Sequence, residues 1–176
     1  MSAPAIPAAG RAPLYAGLFL TTAATLVVEI LDARLLSVLT WYHLSFFVVS
    51  LAMLGLAAGA LRVFLGGERY APARAPAGLA RHALAFAAAV PATHVALLLV
   101  VVPDLATGGP MGVLGLALVT ALVALPFYLA GVVVTLALTR SGAPAGRIYA
   151  VDLAGAAAGC AAVVPLIETV DLTSAV

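Results

Sequence analysis

The chain has 176 residues, of which 65% are hydrophobic and only 9% are charged, and its formal net charge is +1. A soluble domain has about 25% charged residues, so this chain carries too few polar groups to cover a surface that faces water. The composition therefore predicts a lipid bilayer as its surroundings and excludes an ordinary soluble enzyme. It also excludes a nucleic-acid-binding protein, because no basic stripe with interleaved aromatic residues occurs.

The chain opens with a Pro/Ala-rich segment, 1–13, which we predict to be a disordered tail. The apolar run that follows is too long for the hydrophobic part of a signal peptide, about 7–15 residues, and is therefore an uncleaved first span. About 20 mostly apolar residues cross the hydrocarbon core of a bilayer. The sequence thus predicts an all-α, polytopic transmembrane helix bundle, 14–170, with spans at about 14–40, 44–65, 84–102, 111–139 and 148–170.

Proline and the loops refine this prediction. Pro126 lies inside the fourth span. Two halves of about 15 residues would be too short to cross, so we expect one kinked, tilted helix. Gly/Pro-rich stretches separate the spans, including 66–81, 107–110 and 141–144.

The arginines predict the orientation. Positively charged residues near span ends collect on the cytoplasmic side. With a cytoplasmic N-terminus, seven of the eight arginines fall on that side, and the eighth, Arg34, lies within the first span. Five spans then end outside, so we expect 171–176 to be an outer turn or the start of a sixth span.

Small residues predict how the helices pack. Gly55 and Gly59 in the second span, and Gly155 and Gly159 in the fifth, form GxxxG patterns, which allow close contact between helix backbones. We expect packing within the chain, with the face of a homo-oligomer as the alternative. The single cysteine, Cys160, forms neither an internal disulfide nor a multi-cysteine metal site, and its apolar surroundings predict a buried position.

Polar groups at membrane depth are the candidate functional residues. Each costs about 2.5–3.5 kcal/mol on insertion scales, so such groups are rare unless they have a role. Depths at about 1.5 Å per residue predict two polar layers. The outer layer contains Glu29, Asp32 and His94, and the inner layer contains Tyr128, Arg147 and Asp152.

Two interpretations of these layers stay open. They form a proton or cation path or a polar-ligand pocket, or they are interhelical hydrogen bonds that fix the register of the helices. Arg34 is about 140° around the helix from Glu29 and is expected to point toward the outer interface or a neighbouring helix.

Three segments resemble a known family. They are TLVVEILDARLLS at 25–37, the small apolar stretch at 51–59, and GRIYAVDLAGAAAGC at 146–160. They resemble the N-terminal multi-span region of bacterial membrane proteins related to spermidine synthase, in which a cytosolic aminopropyltransferase-like domain with a Rossmann-type fold follows. By this resemblance, the polar positions of the family's membrane motif correspond to Glu29, Arg34, Tyr149 and Asp152. The resemblance does not assign these residues a role.

The resemblance implies a location and a partner. In that family the soluble domain would bind decarboxylated S-adenosylmethionine and a polyamine, and no position of this chain matches one of its catalytic residues. We therefore expect no catalytic site, cofactor or metal in this chain and a location in the bacterial inner membrane. The full-length relatives would be aminopropyltransferase-like transferases.

The leading hypothesis is a membrane domain that anchors or regulates a spermidine-synthase-like or other S-adenosylmethionine-dependent cytosolic domain, on the same or a separate chain. Two alternatives belong to other classes. One is a small proton-coupled transporter that uses the outer polar layer. The other is an assembly subunit of a larger membrane complex that uses the Gly155/Gly159 face.

Overall fold

The structure is a computed structural model that describes residues 8–39, 44–99 and 109–169, and every long element in these stretches is an α-helix. All five helices are long and apolar enough to cross a membrane. The predicted all-α bundle is therefore confirmed, and the chain is a multi-pass membrane protein. The helices are α1 (Ala8–Leu39), α2 (Leu44–Leu65), α3 (Ala75–Leu99), α4 (Gly109–Arg140) and α5 (Ala145–Thr169).

The helices extend beyond the apolar spans at several ends. The first helix begins at Ala8, inside the segment predicted to be a disordered tail, and α3 begins at Ala75 rather than near residue 84. Hydropathy marks the part of a helix that lies in hydrocarbon, whereas an α-helix continues into the interface, where long polar side chains reach water. Two short 3-10 turns, Gly67–Tyr70 and Pro72–Arg74, occupy the rest of the predicted 66–81 linker.

Proline does not interrupt the fourth helix. Pro126 is buried inside α4, which is one continuous helix. One helix was expected because two halves would each be too short to cross the membrane. Some of the predictions fall outside the described residues. They are the outer turn at 171–176 and the span ends at residues 40, 100–102 and 170.

Hydroxyl groups inside the helices are satisfied locally. A hydroxyl in an apolar medium needs an acceptor within the protein, and the carbonyl one turn earlier is always in reach. Thr21, for example, donates to the carbonyl of Gly17 at 2.8 Å. The same bond to the residue four positions earlier is made by Thr22, Thr25, Ser50, Thr93, Thr139 and Ser141.

The bundle is organised around α1 and α4. The most extensive contacts join α2 to α4, α5 to α1, and α3 to α4. Two apolar clusters fill the interior. The first includes Leu18, Val63, Tyr70, Leu79 and Ile148, and the second contains Val28, Leu51, Ala52, Val123 and Phe127.

Glycine sets the two closest helix contacts. A Cβ atom added to Gly55 would lie 2.7 Å from the carbonyl oxygen of Ala124 on α4, and Gly59 lies against the backbone of Tyr128. On the other side of the bundle, Gly155 lies against Phe19 and Thr22 of α1, and Gly159 against Ala23. Both GxxxG faces are buried within the chain, so neither is open to a second copy.

The surface of the bundle is apolar. Phe46, Phe64 and Leu98 are 74%, 80% and 85% exposed, which suits side chains that contact lipid. Cys160 is also exposed. The prediction that it is buried was wrong, because Cys160 lies on a side of α5 whose neighbouring apolar residues, such as Ala157, Ala161 and Val164, are exposed as well.

The arginines gather at one end. Gly155 contacts Phe19 and Gly159 contacts Ala23, so residue numbers rise in the same direction along α1 and α5, and the two helices are parallel. The same difference in residue number places Arg147 level with Arg11. This end, called the arginine-rich end below, also holds the short segments that join α2 to α3 and α4 to α5. The arginines of those segments and of the adjoining helix ends are Arg62, Arg69, Arg74, Arg81, Arg140 and Arg147.

Candidate functional site: a polar contact between α1 and α3

The strongest polar feature of the interior is a bond between helices far apart in sequence. Nε2 of His94 lies 2.8 Å from Oδ1 of Asp32. The Asp32 side chain is 6% exposed and that of His94 35%. A carboxylate at this depth is costly without a partner, and the imidazole provides one.

The imidazole is held at its other nitrogen as well. Nδ1 of His94 lies 2.7 Å from the carbonyl oxygen of Val90, one turn earlier in α3. The neighbouring Thr93 hydroxyl donates to the Ala89 carbonyl at 2.8 Å. Both ring nitrogens therefore face acceptor atoms, and the ring plane is fixed.

Apolar side chains surround this contact. Val28, one turn before Asp32 on α1, belongs to the second interior cluster, against which Val90 and Leu97 of α3 pack. The contact therefore lies at the end of the bundle opposite the arginine-rich end, next to apolar side chains. Low polarity strengthens a hydrogen bond and makes an unpaired charge more costly.

The predicted outer layer is brought together in part. Asp32 and His94, both assigned to this layer, meet. Glu29 is half-buried one turn before Asp32, but among the described residues it makes no hydrogen bond or ion pair with either of them. Arg34 is exposed near the same end of α1.

The predicted inner layer is not joined by hydrogen bonds among the described residues. Arg147 and Tyr149 are exposed at the start of α5, and Asp152 is half-buried there. Tyr128 instead lies on α4 against the backbone of Gly59. It is one of the residues along an apolar surface groove of about 260 Å³ between α2 and α4, with Leu54, Gly55, Ala58, Ala121, Ala124 and Leu125.

Sequence reasoning missed an aromatic contact at the arginine-rich end. Tyr70 is only 4% exposed, although it lies in the short segment between two helices. Nε of Arg62 donates to its hydroxyl at 3.4 Å, and its ring centroid lies 5.9 Å from that of His82. A large aromatic residue inside a Gly/Arg-rich linker was the available signal, because such a residue is rarely left in water.

No group of three or more His, Cys, Asp or Glu side chains in the described part of the chain is placed to hold a metal ion. Comparison with protein-family models, curated proteins and solved structures finds no match for the chain.

Proposed function

We propose that the chain is a membrane domain of the bacterial inner membrane that anchors or regulates a spermidine-synthase-like or other S-adenosylmethionine-dependent domain on the cytosolic side. One observation carries the proposal: the segment with the most specific resemblance, at 146–160, supplies the glycines of a close contact between two helices. The segment at 146–160 packs through Gly155 and Gly159 on α1, against the residues that directly precede the segment at 25–37.

The third segment supports the same interpretation. The stretch at 51–59 supplies Gly55 and Gly59, which bring α2 against α4. Glycines of two of the resembling segments thus lie where the backbones of two helices touch, and a larger side chain would not fit there. Such positions define a rigid scaffold, which is what an anchoring domain requires.

The arginine-rich end supplies the side on which a cytosolic domain would lie. Arg69 and Arg74 are exposed in the segment between α2 and α3, and Arg147 is exposed at the start of α5. A positively charged surface at this end suits both the anionic lipid headgroups of a cytoplasmic leaflet and an acidic partner surface.

The genome around the coding sequence tests the proposal. We expect the same reading frame, or an adjacent gene, to encode a Rossmann-type S-adenosylmethionine-dependent domain, together with a further span where the frame is continuous. Co-purification of that domain with this chain from detergent-solubilised membranes is the expected biochemical result. A stop codon with no further span, and no such domain in the neighbouring genes, would overturn the proposal.

The transporter alternative remains a prediction. Among the described residues, the Asp32–His94 contact is not linked by hydrogen bonds to Tyr128 or Asp152, so a continuous polar path across the bundle has no support in the geometry.

A further inference from the structure

The bonds around His94 fix how many protons the contact holds. A backbone carbonyl can only accept, so Nδ1 of His94 must donate to the oxygen of Val90, 2.7 Å away. The remaining nitrogen, Nε2, lies 2.8 Å from Oδ1 of Asp32. A hydrogen bond of that length requires one proton between the two atoms.

Two arrangements satisfy this requirement. In one, an imidazolium donates to a carboxylate, and in the other, a carboxylic acid donates to a neutral imidazole. Each arrangement contains one proton between Nε2 and Oδ1, and in each the pair has a net charge of zero. The side chains of Asp32 and His94 can therefore lie in an apolar surrounding without a net charge.

Loss of that proton destroys the contact. A carboxylate would then face the lone pair of Nε2 in a wall of apolar side chains, with a net charge of −1 and no donor between the atoms. Because Nδ1 is engaged by Val90, the ring cannot turn its remaining N–H toward Asp32 without breaking that bond. With one proton left, the ring can keep only one of its two bonds, and while Nδ1 donates to Val90 the bond to Asp32 is lost.

We propose that Asp32 and His94 form a one-proton latch: the bound proton holds α3 against α1, and its release frees the end of the bundle opposite the arginine-rich end. The proposal is independent of the anchoring function. It assigns to this site a ligand, the proton, and a consequence, the movement of one helix relative to another.

The packing makes this contact suitable as a latch. The two helices touch each other much less than α5 touches α1 or α3 touches α4, so the polar bond is a large part of what joins them. The glycine contacts keep α5 with α1. Opening the latch would therefore release α3 from α1 near Asp32, while α1 keeps its more extensive contacts with α5, α2 and α4.

Among the residues that the structure describes, few other charged groups lie near the latch. Glu29 and Arg34 lie within one turn of Asp32 on α1, and the register of α5 places Glu168 level with it. The ionisable residues of α2 and α4 are Arg62, Tyr128 and Arg140, in the halves of those helices nearer the arginine-rich end, and α3 otherwise carries Arg81 and His82 near its start.

Spin-label distances in the full chain, reconstituted in lipid nanodiscs, test the movement. Labels at Leu98→Cys on α3 and Val164→Cys on α5, in a Cys160→Ser background, use two exposed positions. We expect one narrow distance at about pH 6 and a second, longer population as the pH rises to about 10, a range that covers histidine deprotonation and beyond.

Asp32→Asn is the matched control. Its amide N–H can donate to a neutral Nε2 without a titratable proton, so this variant should keep the single short distance at every pH. Asp32→Leu removes the partner altogether and should show the longer population at every pH. A closed distance in Asp32→Leu, or the same pH response in Asp32→Asn as in the wild type, would overturn the latch.

Nitrogen-15 NMR of labelled histidine tests the proton count, with His94→Gln to assign the signals. We expect Nδ1 of His94 to stay protonated through the range in which an ordinary histidine titrates, about pH 5 to 8. A neutral tautomer with the proton on Nε2 and none on Nδ1 would show that the bonds differ from those described here.

Discussion

Tyr70 shows how one residue can order a connection between two membrane helices. Its ring is buried between the ends of α2, α3 and α4, in the cluster that contains Val63, Leu79 and Leu136. Gly66 is required beside it, since a Cβ at that position would clash with the ring. The segment between α2 and α3 is thus fixed by an apolar contact, despite its polar composition.

Substitutions at Tyr70 should separate packing from hydrogen bonding. The bond from Arg62 is 3.4 Å long and therefore weak, so Tyr70→Phe should lower the free energy of unfolding by less than about 1 kcal/mol. Tyr70→Ala leaves a cavity where a buried aromatic ring was, and should cost about 3–5 kcal/mol. Thermal unfolding in detergent micelles measures both. Equal losses for the two variants would show that the hydroxyl, and not the ring, holds the segment.

The sequence predicted the polar residues better than this aromatic one. Asp32 and His94 could be assigned to one layer because both are rare ionisable groups whose depth was estimated from their distance along a helix. Tyr70 could not be placed, because its position depends on how a short irregular segment folds back. Glu29 was assigned to the same layer, but depth does not determine which side of a helix meets a partner.

At the scale of the helices, glycine spacing indicated close contacts without identifying the partners. Both GxxxG patterns could be recognised in the sequence. However, the sequence does not show whether such a face packs against another helix of the same chain or against a second copy. The structure resolves this, since Gly55 and Gly59 meet α4, and Gly155 and Gly159 meet α1. The start of α3 was misjudged for a related reason, because Arg81 and His82 interrupt the hydropathy signal without interrupting the helix.

Gly155→Leu should disrupt the contact between α1 and α5. The added side chain would meet the hydroxyl of Thr22 and the backbone of Phe19, which cannot move aside as a flexible side chain can. Overpacking of this kind costs about 1–3 kcal/mol. Ala157→Leu is the control, since Ala157 is exposed on the same helix, and should change the free energy of unfolding by less than about 0.5 kcal/mol.

Thermal unfolding and size-exclusion chromatography in detergent would report the two effects separately. We expect Gly155→Leu to lower the unfolding temperature while the purified chain keeps its oligomeric state. Loss of an oligomer without loss of stability would instead assign Gly155 to a contact between copies.

At the scale of the whole molecule, five helices and their short connections collect the arginines at one end. The number of spans and the alternation of charge followed from composition and helix length, which depend little on packing detail. The neighbours of each helix did not follow, because lipid and protein interior are equally apolar and leave no hydrophobic pattern to distinguish them. The arrangement of α2, α3 and α4 on one side of α1, with α5 on another, is information that the structure adds.

The orientation of this molecule in the membrane is a prediction that labelling can decide. Glu68 is exposed in the segment between α2 and α3 at the arginine-rich end, and Glu168 is exposed near the end of α5 at the opposite end. Each can be replaced by cysteine in a Cys160→Ser background and treated, in intact spheroplasts, with a maleimide that does not cross membranes. Because arginine-rich ends stay in the cytoplasm, we expect Glu168→Cys to react at once and Glu68→Cys only after the membrane is permeabilised. The reverse pattern would place the arginines outside, and a cytosolic partner would then have no access to the end that the anchoring proposal assigns to it.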